Sequence, residues 1–211
     1  MAEAVESGAR RGEATRQAIE LAAIDLFAEL GYNATSMRQI AASAGIRPAA
    51  IYHWFPSKEA ILTQLQDDFM DRLEEAVDAA VAGESTPAGE LAAAVREHVV
   101  FHGLHPRAAF VTDSEIRALS PEPKARLIAR RDEYEGMFRQ MIERGVEAGE
   151  FEVSNPAVAS YAILLQCTGV ALWYDPAGEL PLEVIARIHV ELVLASLGAR
   201  RNGTGERELK N

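Results

Sequence analysis

Three histidines, His98, His102 and His105, recur at i, i+4 and i+7. On a helix this spacing shares one face with Leu91 and Val95 and imitates a zinc ligand set, imidazole nitrogen being a common zinc donor. No carboxylate at the right spacing completes the set within the same helix, and Pro106 stands where that helix would break. No metal is therefore assigned, and the face reads as pocket lining or as plain packing. Arg131 is a second candidate, four residues after Leu127 in a stripe continued by Tyr134, Phe138 and Met141. An arginine turned toward an apolar stripe needs an anion, because an unpaired buried charge is costly. Asp113 or Glu115 could supply it, or an acidic group on a bound ligand. Phe110 and Trp173 complete the expected effector set of His98, His102, His105, Arg131, Tyr134 and Phe138. The pattern holds no nucleophile with an oriented base, no phosphate-cradling glycine loop and no carboxylates forced into a pair, so neither an enzyme nor a cofactor is expected.

A different chemistry is written between Ser36 and Trp54, SMRQIAASAGIRPAAIYHW. The layout is a capped amphipathic helix, a glycine turn and a short second helix, which is a helix-turn-helix. Ala41 and Ala44 let two helices cross closely, while Ile40, Ile46 and Ile51 supply a small core. The second helix then offers its first side chains to a DNA major groove. Arg47 heads it, and its guanidinium fork matches the O6 and N7 acceptors of guanine, or alternatively a phosphate. Thr35, Ser36 and Arg38 sit at the start of the first helix, where free N–H groups and short hydroxyls suit a phosphate oxygen. His53 reaches toward backbone or base, whereas Trp54 and Phe55 read as packing.

Helices must position both sets. From Glu13 the apolar positions Ile19, Ala23, Leu26 and Leu30 fall on one face, and Gly31 stands at a left-handed cap. Ser36 and Gln39 form a capping-box pattern, and the helix they open stops at Gly45. Pro48 suits the first turn of a very short third helix. Ser57 caps a fourth, with Ile61, Leu65, Phe69, Leu73 and Val77 stepping by four. Further helices are predicted from Leu91 to Leu104, about Arg107 to Leu119, Pro123 to Ala148, Pro156 to Trp173 and Leu182 to Leu197. With no sustained strand-type alternation, the fold class is all-α, with about nine helices. The expected organisation is a flexible arm over 1–12, a DNA-binding domain over 13–58, an effector and dimerisation domain over 59–197 and a disordered tail over 198–211.

The formal charge of -11 over 211 residues at first opposes DNA binding, which rests on Lys and Arg contacts to phosphate. Its distribution answers the objection. Residues 1–60 carry six basic and seven acidic side chains, residues 61–211 fifteen and twenty-five, so the acidity lies in the body. An acidic body repels its far side from the duplex and orients a near-neutral head. The single Cys167 excludes an intrachain disulfide, and the beginning of the sequence lacks a signal-peptide pattern, which fits the cytoplasm. The uncharged run 155–174 is about long enough for a bilayer, yet Pro156, Ser160, Gln166, Thr168 and Gly169 mark it as a buried or interface helix, so no membrane is expected.

Thr35 to Ile40, Ala44-Gly45-Ile46, Ile51-Tyr52-His53-Trp54-Phe55 and Ser57-Lys58-Glu59 together resemble the N-terminal signature of the TetR family of repressors. The likeness covers about the first 65 residues and includes Phe27 and Gly31-Tyr32. It implies a three-helix head joined by a long fourth helix to a ligand-binding body, acting as a homodimer on a palindromic double-stranded operator. Tyr52 and Lys58 look like the family's phosphate clamps, Tyr52 being alternatively core. Arg47, Ala49 and Trp54 depart from common family residues, so Arg47-Pro48-Ala49 is an individual reading surface. More loosely, Gly145 to Phe151 and the Trp173 to Pro181 turn resemble members answering to acyl-CoA thioesters of fatty-acid or steroid catabolism. A drug-responsive efflux-pump repressor is the alternative. The last two helices, apolar around much of their circumference, are expected to form the dimer interface.

Overall fold

The computed structural model describes residues 2–199, with side chains from Gly12 onward. Its helices are α1 (Ala2–Leu30), α2 (Met37–Ser43), α3 (Ile51–Trp54), α4 (Lys58–Val81), α5 (Pro87–Leu104), α6 (Pro106–Ser114), α7 (Pro121–Glu147), α8 (Pro156–Thr168), α9 (Val170–Trp173) and α10 (Leu182–Ser196), with a 3-10 turn at Glu115–Ala118. No strand occurs among the described residues. Gly169 splits the predicted eighth helix: Leu172 N–H bonds the Gly169 carbonyl at 3.1 Å, a tighter turn than the α-helical one. Helix α1 already begins at Ala2, so the segment expected to be an arm is continuous with it. Ala2, Glu3, Ala4 and Glu6 are good helix formers, and no proline interrupts the segment. Of the tail predicted over 198–211, the part from residue 200 lies outside the described residues.

By compactness the chain forms two units, one of Met1–Glu74 with His102–Arg131, the other of Glu75–Phe101 with Asp132–Asn211. This division falls at Glu74 rather than at residue 58.

In the first unit, α1 buries Ile19, Ala23 and Phe27, an i, i+4, i+8 row, with Ala22 beside it. Leu30, expected on that face, is exposed because the helix ends one residue later, at Gly31 with φ of 83°. Ile40 and Ala41 of α2, Ile51 of α3, Phe55, and Ile61, Leu62, Leu65 and Phe69 of α4 complete the core beside Ala109 and Val111 of α6. Burying each such side chain contributes about 1.5–3 kcal/mol, so apolar periodicity is the main local determinant here.

In the second unit, Val77, Leu91, Val95, Val99, Phe138, Met141 and Ile142 pack with Ile163, Cys167, Val170, Ile185 and Val193. The α7 end is set by Gly149, φ 71°. A Cβ on Gly145 would lie 2.2 Å from the Phe151 ring, so the glycine makes room for that buried aromatic. Burial of the Cys167 thiol pushes its pKa up to about 12, leaving it an inert apolar side chain.

Candidate functional site

The helix-turn-helix is assembled by local hydrogen bonds. Gln39 N–H donates to Ser36 Oγ (3.3 Å), and Ser36 N–H donates to Gln39 Oε1 (2.9 Å), the reciprocal capping box that starts α2. Gly45, φ 70°, turns the chain, with its N–H on the Ala42 carbonyl and that of Ile46 on the Ala41 carbonyl. Ala50 N–H then bonds the Arg47 carbonyl at 2.8 Å, so Arg47, Pro48 and Ala49 occupy a turn and the helix proper begins at Ile51. Proline has no N–H to give, and the turn closes over it. The result is a continuous exposed edge of Arg47, Pro48, Ala49, Tyr52 and His53, with Arg38 also exposed on α2. Tyr52 is 57% exposed, so it is not core. Trp54 lies against Gly12 of α1, whose Cβ would come 3.2 Å from the indole, and Phe55 is buried beneath the Arg16 guanidinium.

Two residues expected at phosphate are engaged within the fold. Thr35 is buried, and its hydroxyl lies 2.9 Å from the Gly31 carbonyl and 3.2 Å from that of Leu26. Lys58 directs its ammonium at the carbonyls of Tyr32 (2.5 Å) and Thr35 (2.6 Å), over the Tyr32 ring at 4.1 Å. The carbonyls of Gly31, Tyr32 and Thr35 lie past the end of α1 without helical partners, and these two donors satisfy them. Partial burial pushes the Lys58 pKa down, while the Glu115 charge works the other way. The same loop is tied to the 3-10 turn by Tyr32 N–H on Glu115 Oε1 at 3.1 Å, and Ser120 N–H donates to Glu59 at 2.6 Å. Ser36 stays exposed, its Oγ spent on the cap.

The effector residues divide. In the second unit His98, Tyr134 and Phe138 come together: His98 Nδ1 lies 3.0 Å from Tyr134 Oη and Nε2 3.0 Å from Thr168 Oγ1, with the two rings stacked and Phe138 edge-on. The three side chains are buried. In the first unit His102 is buried edge-on to Phe69 at 5.5 Å. His105 does not share the helical face predicted for it, because α5 stops at Leu104 and Pro106 opens α6. Its Nε2 sits 2.9 Å from Arg72, and burial first, then the Arg72 charge, pushes its pKa down. Among the described residues no three His, Cys, Asp or Glu side chains group as a metal would require.

Arg131 bonds the Thr112 carbonyl (3.0 Å) and Asp113 (3.1 Å), so of the partners considered the protein's own carboxylate holds it. Its neighbour Arg130 is raised in pKa by Glu74 and Asp71, which it bridges at 2.7 and 2.5 Å. Phe110 and Trp173, expected as pocket lining, lie at the surface. Phe110 is exposed because α6 buries Ala109, Val111 and Thr112 on its other side, and Trp173, also exposed, stacks face-on with His189 at 6.2 Å. A cleft of about 610 Å³ in the first unit, rimmed by Glu13, Glu20, Asp68 and Asp71, is lined by none of the expected effector residues.

Sequence reasoning passed over Gln66, which is buried with its Nε2 donating to the Thr112 carbonyl at 3.0 Å. The signal was a polar residue in the i, i+4 row Leu62, Gln66, Met70, whose other members are apolar and buried.

Pro156–Trp173 is long and apolar enough to cross a membrane by length and composition, and 22% of it is buried. Its exposed side carries Val158, Tyr161, Leu165, Leu172 and Trp173.

Residues 19–65 match the family described as bacterial regulatory proteins, tetR family, and residues 84–197 match the tetracyclin repressor-like C-terminal domain. The HTH-type transcriptional repressor KstR2 of Rhodococcus jostii is 28% identical over 182 residues, covering 85% of this chain and 89% of that one. A bacterial regulatory protein of the tetR family from Rhodococcus RHA1 superposes with a TM-score of 0.83 at 31% identity, over 88% of this chain and 98% of that one. AibR, crystallised with isovaleryl coenzyme A and operator DNA, gives a TM-score of 0.78 at 26% identity, over 84% and 97%.

Proposed function

Since the chain belongs to the TetR family of transcriptional repressors, we propose that it grips a palindromic operator as a homodimer and lets go when an acyl-CoA thioester enters its C-terminal domain. The observation that carries the DNA half is the exposed edge Arg47, Pro48, Ala49, Tyr52 and His53, presented immediately after the turn of a helix-turn-helix. Arg47 reads a guanine, Tyr52 and His53 hold the sugar-phosphate backbone, and Arg38 adds a contact from α2, whose start Ser36 caps. Thr35 and Lys58 are left out of this set, since their polar groups stiffen the loop between α1 and α2.

The homodimer uses α8, α9 and α10. Tyr161, Leu165 and Leu172 are 56–78% exposed, and Ile188 and Leu192 add to them from α10. An apolar row of that kind on a soluble chain marks an association surface, and a self-complementary patch closes as a C2 dimer. Two recognition elements then meet half-sites about one DNA turn apart. The operator sets the place of work in the cytoplasm.

An acyl effector is supported by the likeness to AibR, crystallised with isovaleryl coenzyme A and operator DNA. Phe138 and the rings of His98 and Tyr134, whose polar atoms bond one another and Thr168, give an apolar wall to the acyl part of a thioester of fatty-acid or steroid breakdown. The effector acts by binding one of two head spacings more tightly. A gel-shift titration tests this: acyl-CoA thioesters should dissociate a complex with the chain's own upstream DNA, and free acids should not. Retention of the complex at saturating thioester would refute the effector, and failure to bind upstream DNA at low salt would refute the repressor.

A further inference from the structure

The 3-10 turn Glu115–Ala118 and the residues that follow it are tied to both flanks of the helix-turn-helix, all within the first unit. On the N-terminal flank, Glu115 Oε1 accepts the Tyr32 N–H at 3.1 Å, shortly before the Ser36 cap of α2. On the C-terminal flank, Glu59 Oε1, in the first turn of α4, accepts the Ser120 N–H at 2.6 Å, shortly after α3 ends at Trp54. The turn supplies the acceptor in one bond, and the residue following it supplies the donor in the other. One short segment from far along the chain thus spans the motif 36–54. Helix α6 delivers it there. Arg107 pairs with Asp25 at 2.7 Å near the start of α6, and Glu115 meets Tyr32 at its end, so α6 runs alongside α1 in the same direction over about two helical turns. The Arg107–Asp25 pair is exposed and sets direction more than strength, whereas Ala109, Val111 and Leu119 are buried and hold the segment down.

From Tyr32 the connection runs on toward the reading edge. The Tyr32 carbonyl accepts from the Lys58 ammonium, which also donates to the carbonyl of Thr35, the residue before the α2 cap. A carboxylate is a costly acceptor in the unit that meets DNA, because negative charge there opposes phosphate binding. Ser120 is exposed, so water could satisfy its N–H without that cost. Resting on the repressor reading above, we propose that Glu115 and Glu59 are positioning residues for operator binding, through which the segment 115–120 brackets the helix-turn-helix and fixes α2 and α3 in the pose that reads DNA. Neither is assigned a contact with DNA. Without the bracket the head keeps its buried core of Ile19, Phe27, Ile40 and Ile51, but it holds the reading pose for only part of the time, and apparent affinity falls by that fraction.

Positioning and plain electrostatics predict opposite signs, which makes the test decisive. Removing a carboxylate from a DNA-binding unit should by charge alone tighten the complex, whereas removing a bracket should loosen it. Full-length wild type, Glu115→Ala, Glu115→Gln, Glu59→Ala and Glu59→Gln would be titrated by fluorescence anisotropy against a labelled duplex of the chain's own upstream DNA at one salt concentration. Stoichiometric titrations give the active fraction of each protein, and thermal melts run alongside. Glutamine keeps the acceptor oxygen and drops the charge. Each alanine variant is expected to bind about three- to tenfold more weakly at full active fraction, the effect of one lost hydrogen bond on the population of the reading pose. Each glutamine variant is expected to bind at least as tightly as wild type. Alanine variants that bind as tightly as wild type or tighter, whatever their melting temperature, overturn the proposal. Equal weakening by alanine and glutamine overturns it too, since the acceptor would then not matter, and so does a loss at one flank with none at the other. These outcomes leave the repressor reading standing, whereas failure of wild type to bind the upstream duplex at low salt overturns both. Should Glu115→Ala not fold, the Glu59 pair decides by the same criteria.

Discussion

Replacing Lys58 by methionine separates an internal clamp from a phosphate contact. The unbranched stem survives and only the ammonium is removed. Two charge-assisted bonds, to Tyr32 O at 2.5 Å and Thr35 O at 2.6 Å, disappear together with the cation over the Tyr32 ring at 4.1 Å. A hydrogen bond to a charged group contributes about 1.5–3 kcal/mol, and a cation on an aromatic face at a partly exposed site about 0.5–1 kcal/mol. Water can reach carbonyls near the surface, and the burial that pushes the Lys58 pKa down is a cost the variant no longer bears. The net loss is therefore about 2 kcal/mol, or about 4–8 °C in melting temperature for a chain of this size. Circular dichroism melts measure this part. Operator affinity from 50 to 300 mM salt measures the other: removing a cation that neutralises one phosphate should make the log–log slope shallower by about 0.9, and Lys58→Met is expected to leave it unchanged. A variant that melts within about 1 °C of wild type while its slope falls by about one would show that Lys58 grips DNA, and the clamp would be refuted.

Arg47→Ala should weaken operator binding by about 1–3 kcal/mol and relax selectivity at one base position, without moving the melting temperature, as read by anisotropy on single-mismatch operators. Leu165→Glu places a charge on a side chain 78% exposed in the isolated chain, so a folded monomer with much weaker operator binding is expected by light scattering and gel shift. A variant that remains dimeric would move the interface elsewhere. His105 has a folded pKa below its ordinary 6.5, so it contributes stability that is complete above about pH 6.5 and is lost as pH falls through the folded value. Melting between pH 7.5 and 5 should accordingly fall less in His105→Gln than in wild type. Gly145→Ala sets a methyl 2.2 Å from the Phe151 ring and should destabilise by about 1–3 kcal/mol, measurable in urea.

The features read directly from the sequence are those whose partners lie within one or two helical turns. The Ser36–Gln39 capping box, the positive φ at Gly31 and Gly45, and the buried row Ile61, Leu65, Phe69, Leu73 and Val77 all stand as the residue types require. Each depends on backbone geometry that repeats every few residues, so local spacing decides it. The helix-turn-helix and its exposed edge follow from the same short-range rules.

The partners that local spacing could not supply are held across the chain. Lys58 reaches back 26 residues to Tyr32, and His98 reaches forward 70 to Thr168. Phe110 points outward because Ala109, Val111 and Thr112 hold the inner side of α6, a choice made by packing against other helices. Gln66 and Thr112 stand 46 residues apart, and no periodicity announces that one carbonyl would be shared by α4, α6 and α7. The sequence by itself determined most of the helices, their caps and the exposed edge of the helix-turn-helix, because those are settled by neighbours on the same helix. Only the tertiary structure decided which cations are clamps, which polar atoms are buried and which apolar faces stay uncovered, because each of these depends on what a distant segment brings alongside.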